Sequence, residues 1–275
     1  MNNAIKIHIL HTGQVQVDVA LPFGSINKSI NPFAYTGLFR SKKNQVILPV
    51  STYLIEHPKG LILIDTGWDT DMRSNQIKNL GKLHHMINKA ILPKGQAINE
   101  QLNRMGILPK DIDYLILTHL HSDHVSGLKL VREAKNILVS EEELKAARKD
   151  KLRYIHHMWE DVNLKTFHMS PSNYGPQNRS FDLFGDDSVV FVHTPGHSKG
   201  LVSTIIQRNG KYVLLAADTG YAKKSWEQMI LPGVSVNKKQ LIQSLQWVKE
   251  MASNPNCIEA LANHDADIKP HTIKL

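Results

Sequence analysis

His119, His121, Asp123 and His124 fall within six consecutive positions, in the segment His119-Leu120-His121-Ser122-Asp123-His124. Imidazole and carboxylate donors in this density suit a divalent cation such as zinc, iron, manganese or cobalt. Residues two apart on extended backbone point to the same side, so His119 and His121 can present two nitrogens to one ion. Asp123 and His124 come after the chain turns and can approach a second ion from another direction. A polar loop whose histidines only make hydrogen bonds would explain one of them, but it is a poor account of three plus an aspartate. Without thiolates, a closed structural zinc cage is disfavoured. The single cysteine, Cys257, excludes an internal disulfide and an iron–sulfur cluster. It stands in Asn254-Pro255-Asn256-Cys257 with no nearby catalytic partner and reads as structural.

A metal site needs donors from separate segments, and three more candidates stand at the ends of apolar runs. His197 lies in Thr194-Pro195-Gly196-His197-Ser198, where proline and glycine set a tight turn that can aim the imidazole inward. Asp218 closes Val213-Leu214-Leu215-Ala216-Ala217, where an unpaired buried carboxylate would be costly and a cation would offset that cost. His264 closes the run Ile258 to Ala262.

The elements that must hold these residues are mixed. Ile5 to Leu10, Val46 to Glu56 and Leu61 to Asp65 read as strands, the last two joined by a turn at Pro58-Lys59-Gly60. Asp113 to Thr118 reads as a buried strand that feeds the histidine cluster. Ala97 to Met105 reads as a helix stopped by Gly106, and Ser140-Glu141-Glu142-Glu143 as a capping box that opens another. Later come strands at Ser188 to His193, Val202 to Gln207, Lys211 to Ala217 and Ile258 to Ala262, with a hairpin turn at Asn209-Gly210 and an amphipathic helix at Lys239 to Met251. Two strand-rich halves with helices between and after them imply sheet packed on sheet with helices outside. The stretches Leu21 to Lys43 and Trp68 to Gly95 lack periodicity and read as long loops carrying substrate contacts.

At 275 residues and 41% hydrophobic content the chain can bury a sizeable core, which excludes disorder as a whole-chain description. No repeat, low-complexity tract or linker divides it, so residues 1–275 read as one domain. The start, MNNAIKIHIL, lacks the pattern of a secretion signal, and no apolar run is long enough to span a membrane. A soluble cytoplasmic protein with no membrane partner is expected. Its formal charge of +8 is mild. The basic run Lys145, Arg148, Lys149, Lys151 and Arg153 reads as a solvated helix face rather than a nucleic-acid patch.

With those residues in hand, the chain resembles the metallo-β-lactamase superfamily, whose dinuclear hydrolases carry HxHxDH followed by a distant His, an Asp and a last His. The likeness runs from Leu63-Ile64-Asp65-Thr66-Gly67 to His264. It implies an αββα sandwich of two mixed sheets flanked by helices, an α+β fold. It also implies two divalent ions, zinc first: His119, His121 and His197 on one, Asp123, His124 and His264 on the other, and Asp218 bridging. Asp65 would support the motif loop through hydrogen bonds and is left out of the ligand set.

Within the superfamily the chain is most similar to the N-acyl homoserine lactonases. Tyr221 stands three residues after Asp218, where a tyrosine of those enzymes faces the substrate carbonyl or ester oxygen, and Asp265 follows His264. Asn263 departs from the glycine common in that group. The resemblance implies a quorum-quenching hydrolase that opens a small-molecule ester or lactone with a hydroxide held between two cations. Tyr221 would stabilise the developing oxyanion, and Asp123 would carry a proton to the leaving group. A glyoxalase II-like thioester hydrolase and a metal-dependent phosphodiesterase or ribonuclease share the ligands. The chain has no matching glutathione clamp for the first and no tRNA-binding insertion for the second. A true β-lactamase, a diiron oxidoreductase and a non-enzymatic metal-binding protein fit less well.

Overall fold

Ile62, Leu63 and Ile64 are all fully buried, as are Leu115 and Ile116 and the run Val189 to Val192. Strands apolar on both faces must lie between two layers, and these do. The computed structural model describes residues 4–26, 31 and 33–275. The chain opens with β1 (Lys6–Asp18), β2 (Gln45–His57) and β3 (Gly60–Ile64). Next come α1 (Gln76–Ile87), β4 (Asn88–Ile91), α2 (Ile98–Arg104), β5 (Tyr114–Leu117) and a single helical turn, α3 (Ser122–Val125). β6 (Ile137–Ser140), α4 (Glu141–Lys149), β7 (Lys165–Phe167), β8 (Ser170–Pro171), β9 (Arg179–Asp182), β10 (Val189–His193) and β11 (Val202–Arg208) follow. The chain finishes with β12 (Lys211–Ala217), α5 (Lys223–Glu227), α6 (Lys238–Ser253), β13 (Cys257–Ala262) and β14 (Thr272–Lys274).

One sheet runs β14-β1-β2-β3-β5-β6-β7, with β4 also paired to β1, and the other runs β13-β12-β11-β10-β9-β8. Both are mixed. β1, β2 and β3 pair antiparallel while β3, β5, β6 and β7 pair parallel; the second sheet is antiparallel except where β12 meets β13. Alternation along each strand sorts the side chains into layers. Ile62, Ile64 and Ile116 meet Val189, Phe191, Val213 and Leu215 between the sheets. Leu63, Leu115 and Leu117 face outward onto Ile98 and Leu102 of α2 and Leu144 of α4. Val190, Val192 and Leu214 face outward onto Leu245 and Val248 of α6. The result is helix, sheet, sheet, helix, as expected. No helix among the described residues is long and apolar enough to cross a membrane.

Three expectations need correction. Trp68 to Gly95 is not a plain loop, since it holds α1 and β4. Its periodicity is hidden because Gly81 (φ 73°, ψ 160°) breaks α1 into two short helical pieces. The first strand runs past Leu10 to Asp18, through an irregularity between His11 and Gln14 where Gly13 adopts φ 97°. The box at Ser140 is only half formed: Ser140 Oγ accepts from the Glu143 amide at 3.1 Å, but the Glu143 carboxylate turns elsewhere. Within the stretch Leu21 to Lys43, positions 27–30 and 32 lie outside the described residues; the remainder holds short 3-10 turns.

Candidate metal centre

Five strands end beside one another in the site. β3 delivers Asp65, β5 delivers His119, β10 leads to His197, β12 delivers Asp218, and β13 delivers His264. After β5 the backbone stays extended to His121 (φ −72°, ψ 156°) and then enters α3, which carries Asp123 and His124. Extension followed by one helical turn brings all four side chains of the motif to one place.

The donor atoms fall into three overlapping groups: His119, His121 and His197; His119, His124 and Asp218; and Asp123, His124 and His264. Within each group the atoms lie within 4.8 Å of one another. These are the only such groups among the described residues. His197 Nε2 is 2.9 Å from His121 Nδ1. Asp218 reaches both sides. Its Oδ1 lies 3.3 Å from Nε2 of both His124 and His264, and its Oδ2 lies 3.5 Å from His197 Nε2 and 3.9 Å from His119 Nε2. Asp123 Oδ2 is 3.4 Å from His264 Nε2.

Hydrogen bonds behind the histidines fix which nitrogen faces inward. His124 Nδ1 contacts Asp65 Oδ2 at 2.8 Å, and His264 Nδ1 contacts the Pro49 carbonyl at 2.8 Å, so in both residues Nε2 is the free atom. Asp65 also accepts from the Thr118 amide and hydroxyl, each at 2.8 Å, and from Asn263 Nδ2 at 3.3 Å. Its carboxylate therefore ties β5, α3 and the end of β13 together and lies outside the donor set, as the sequence implied. Asn263 has a structural task here, since its amide also donates to the Ser51 carbonyl at 3.0 Å.

Nε2 of His119, His124 and His264 and Oδ1 of Asp218 are buried without a hydrogen-bond partner. Buried orphans of this kind are costly, and four facing one space fit a cation. Burial, aided by neighbouring imidazoles, holds His119 and His121 well below the ordinary imidazole range. Burial brings His197 down to about 4, so it is neutral and ready to donate a lone pair. Burial also opposes protonation of His124 and His264, but Asp218 and Asp123 outweigh it and both rise; Asp65 adds to the effect at His124. Burial would raise the Asp218 carboxyl, yet His124 and His264 hold it well below the usual carboxylate range. A cation bound here would favour the neutral, lone-pair form of both imidazoles.

Tyr221 stacks on His264 with ring centroids 5.2 Å apart and meets His197 edge-on at 5.9 Å. Burial, then Asp218 and Asp123, push its phenol well above the ordinary range, so it keeps its proton and remains a donor. Beyond it opens a cavity lined by His121, Asp123, His197, Asp218 and Tyr221 on one side. Apolar walls come from Val15 and Val17 of β1, Leu48 of β2, Ile87 of α1, Leu21 and Leu152. Both stretches expected to form loops, Leu21 to Lys43 and Trp68 to Gly95, thus contribute to the wall.

Two residues at the site have roles that differ from those the sequence suggests. Glu143, fully buried, accepts from the Leu120 amide (3.2 Å), the Ser198 hydroxyl (2.7 Å) and the Gly200 amide (2.9 Å). It links the loop of His119 and His121 to that of His197. Only glycine at position 200 permits this close docking, since a Cβ there would sit 2.1 Å from the Glu143 amide nitrogen. The signal was available, because Glu143, Leu144 and Ala147 share one helix face. The second is Arg153, which lines the cavity although the run it belongs to was read as solvated. Lys145, Arg148, Lys149 and Lys151 of that run are exposed.

The sequence pattern of the Metallo-beta-lactamase superfamily matches residues 46–246. The N-acyl homoserine lactonase AttM of Agrobacterium fabrum is 27% identical over 224 residues, covering 80% of this chain and 83% of the relative. An N-acyl homoserine lactonase of Bacillus cereus is 27% identical over 250 residues, covering 90% and 88%. Among solved structures, an N-acyl homoserine lactone hydrolase with N-hexanoyl-L-homoserine bound at its catalytic metal centre superposes with a TM-score of 0.76 at 25% identity, covering 95% of this chain and 94% of that one.

Proposed function

The chain belongs to the metallo-β-lactamase superfamily, and from that premise we propose that residues 1–275 form one metal-dependent hydrolase domain that opens the lactone ring of N-acyl homoserine lactones. The observation that carries the reading is the convergence of unpartnered nitrogen and carboxylate atoms beneath a protonated tyrosine, at the base of an apolar cavity. Two lactonases alike over 80% or more of the chain, and a neighbour holding an acyl-homoserine product at its metal centre, support it.

In this reading His119, His121 and His197 hold one divalent ion, Asp123, His124 and His264 hold the other, and Asp218 reaches both. Zinc suits this donor set, and iron, manganese or cobalt would be accepted by the same atoms. When bound, such a pair supplies a hydroxide nucleophile near neutral pH and a Lewis acid for the carbonyl.

The chain's own residues supply the rest. Tyr221 donates a hydrogen bond to the carbonyl oxygen, on which charge grows in the tetrahedral intermediate. Asp123, part exposed to the cavity while its neighbours are buried, takes up the nucleophile's proton and passes it to the ring oxygen as the ring opens. Val15, Leu48, Ile87 and Leu152 shield the acyl chain from water and align the ring over the donors.

The test is hydrolysis by metal-reconstituted protein of acyl-homoserine lactones, glutathione thioesters, aryl esters and phosphodiesters. Ring opening should exceed the other activities by at least about tenfold, and preferential thioester or phosphodiester cleavage would overturn the reading. Tyr221→Phe should cut lactone turnover on the order of tenfold or more with bound metal unchanged, as expected on losing one oxyanion donor. An unaltered rate would remove the tyrosine from the mechanism.

A further inference from the structure

The cavity contains a cation that the lactonase reading does not use. Arg153 lies on its wall with His121, His197, Asp218 and Tyr221. Its Nη1 contacts the His197 carbonyl at 3.5 Å, and its positive charge lowers the pKa values of His121, His197 and Tyr221. The other arginines at described ion pairs meet carboxylates: Arg40 meets Asp18, Arg73 meets Glu100, and Arg179 meets Glu142. Arg153 forms no ion pair within 4.0 Å among the described residues. Asp150, the nearest acid in sequence, instead accepts from the Arg153 backbone amide.

A guanidinium without a carboxylate partner, beside donors arranged for two dications, gains from an anion that lies between them. A neutral acyl lactone provides none. The planar fork of an arginine matches a carboxylate in two parallel hydrogen bonds. We propose that Arg153 forms a carboxylate-binding subsite at the wall of the cavity, next to the His121 and His197 edge of the metal centre.

The carboxylate has two chemical sources. A substrate can bring it on the side chain of its acyl group, or ring opening can create it, since adding water across the ester yields one carboxylate and one hydroxyl. The inference rests on the hydrolase reading for the second source and on the cavity alone for the first.

Paired substrates separate them. N-butanoyl- and N-succinoyl-homoserine lactone differ by a terminal carboxylate, as do the N-hexanoyl and N-adipoyl compounds. Wild-type protein, Arg153→Met and Arg153→Lys, matched for bound metal, are compared on both pairs, and inhibition by ring-opened N-hexanoyl-homoserine is measured on each. If the substrate brings the carboxylate, Arg153→Met lowers the ratio of kcat/KM for acid over neutral lactone on the order of tenfold or more, and Arg153→Lys, which keeps the charge but loses the fork, retains only part of it. If the product brings it, that ratio stays put while the inhibition constant of the ring-opened product rises by a similar factor in Arg153→Met. A change of less than about twofold in both quantities overturns the subsite. Calorimetric titration of the same three proteins with hexanoate keeps the matter separate from catalysis. If no lactone is opened but hexanoate binds at least about tenfold more weakly to Arg153→Met, the subsite stands and the lactonase reading falls. Equal hexanoate binding by all three proteins removes the subsite.

Discussion

The donor floor and the outer cavity wall of this protein are built by different means. The floor residues lie beyond strand ends, and several are held from behind. Asp65 holds Thr118 and His124, the Pro49 carbonyl holds His264, and Glu143 joins the loops of His121 and His197. The wall is mixed: Val15, Val17 and Leu48 come from β1 and β2, while its outer part comes from the broken helix α1, the stretch around Leu152, and Leu21, whose carbonyl accepts from the Gly233 amide at 2.9 Å. Leu152 is 75% exposed even though it lines the cavity. The contrast teaches that the donor geometry rests on buried polar contacts, which tolerate little change, while the outer wall around Leu152 is loosely packed and can be exchanged.

Substitutions should rank along that divide. Asp218→Ala removes the atom that reaches both sides of the floor, and it should abolish hydrolysis and most metal binding while leaving the circular-dichroism spectrum near that of the wild type. Retained activity would break the comparison at its strongest point. Asp65→Ala leaves the Thr118 amide and the His124 ring unsatisfied, so metal affinity measured by competition with a chelator should fall roughly 10- to 100-fold. The midpoint of thermal unfolding should fall with it, because a buried unsatisfied group costs about 1–3 kcal/mol. An affinity within twofold of wild type would mean that the floor does not need its backing. Leu152→Ala should do least. A rise in KM of only a few-fold for long-chain lactones, with a smaller change in kcat, is expected of a mostly exposed wall residue; a loss as large as that of Asp65→Ala would erase the distinction between floor and wall.

The same divide governs what could be read from the sequence. The motif from His119 to His124 was legible because local spacing alone brings its side chains together. His197, Asp218 and His264 were legible because each terminates an apolar run, and strand ends are where sheets place polar residues. Glu143 escaped because a local rule accounted for its carboxylate as a helix cap, whereas three donors from distant loops claim it in the fold. Arg153 escaped because its four basic neighbours are exposed and composition averages over them. α1 escaped because Gly81 interrupts the period that would have revealed it. Each miss is a long-range partner or a single backbone break; only Glu143 leaves a local trace, the helix face it shares with Leu144 and Ala147.

β12 adds a constraint that concerns length rather than identity. Its parallel pairing with β13 runs Leu215 to Leu261 and then Ala217 to Ala262, so Ala216 has no counterpart and Ala217 turns into φ 48° immediately before Asp218. That single surplus residue sets the direction in which the strand releases Asp218. Successive residues of a strand face opposite ways, so deleting or inserting one residue between Val213 and Ala217 would swing the carboxylate to the far side of the sheet. The side chains of β12 are thus constrained by core packing, and its residue count is as binding on the site as any of the histidines.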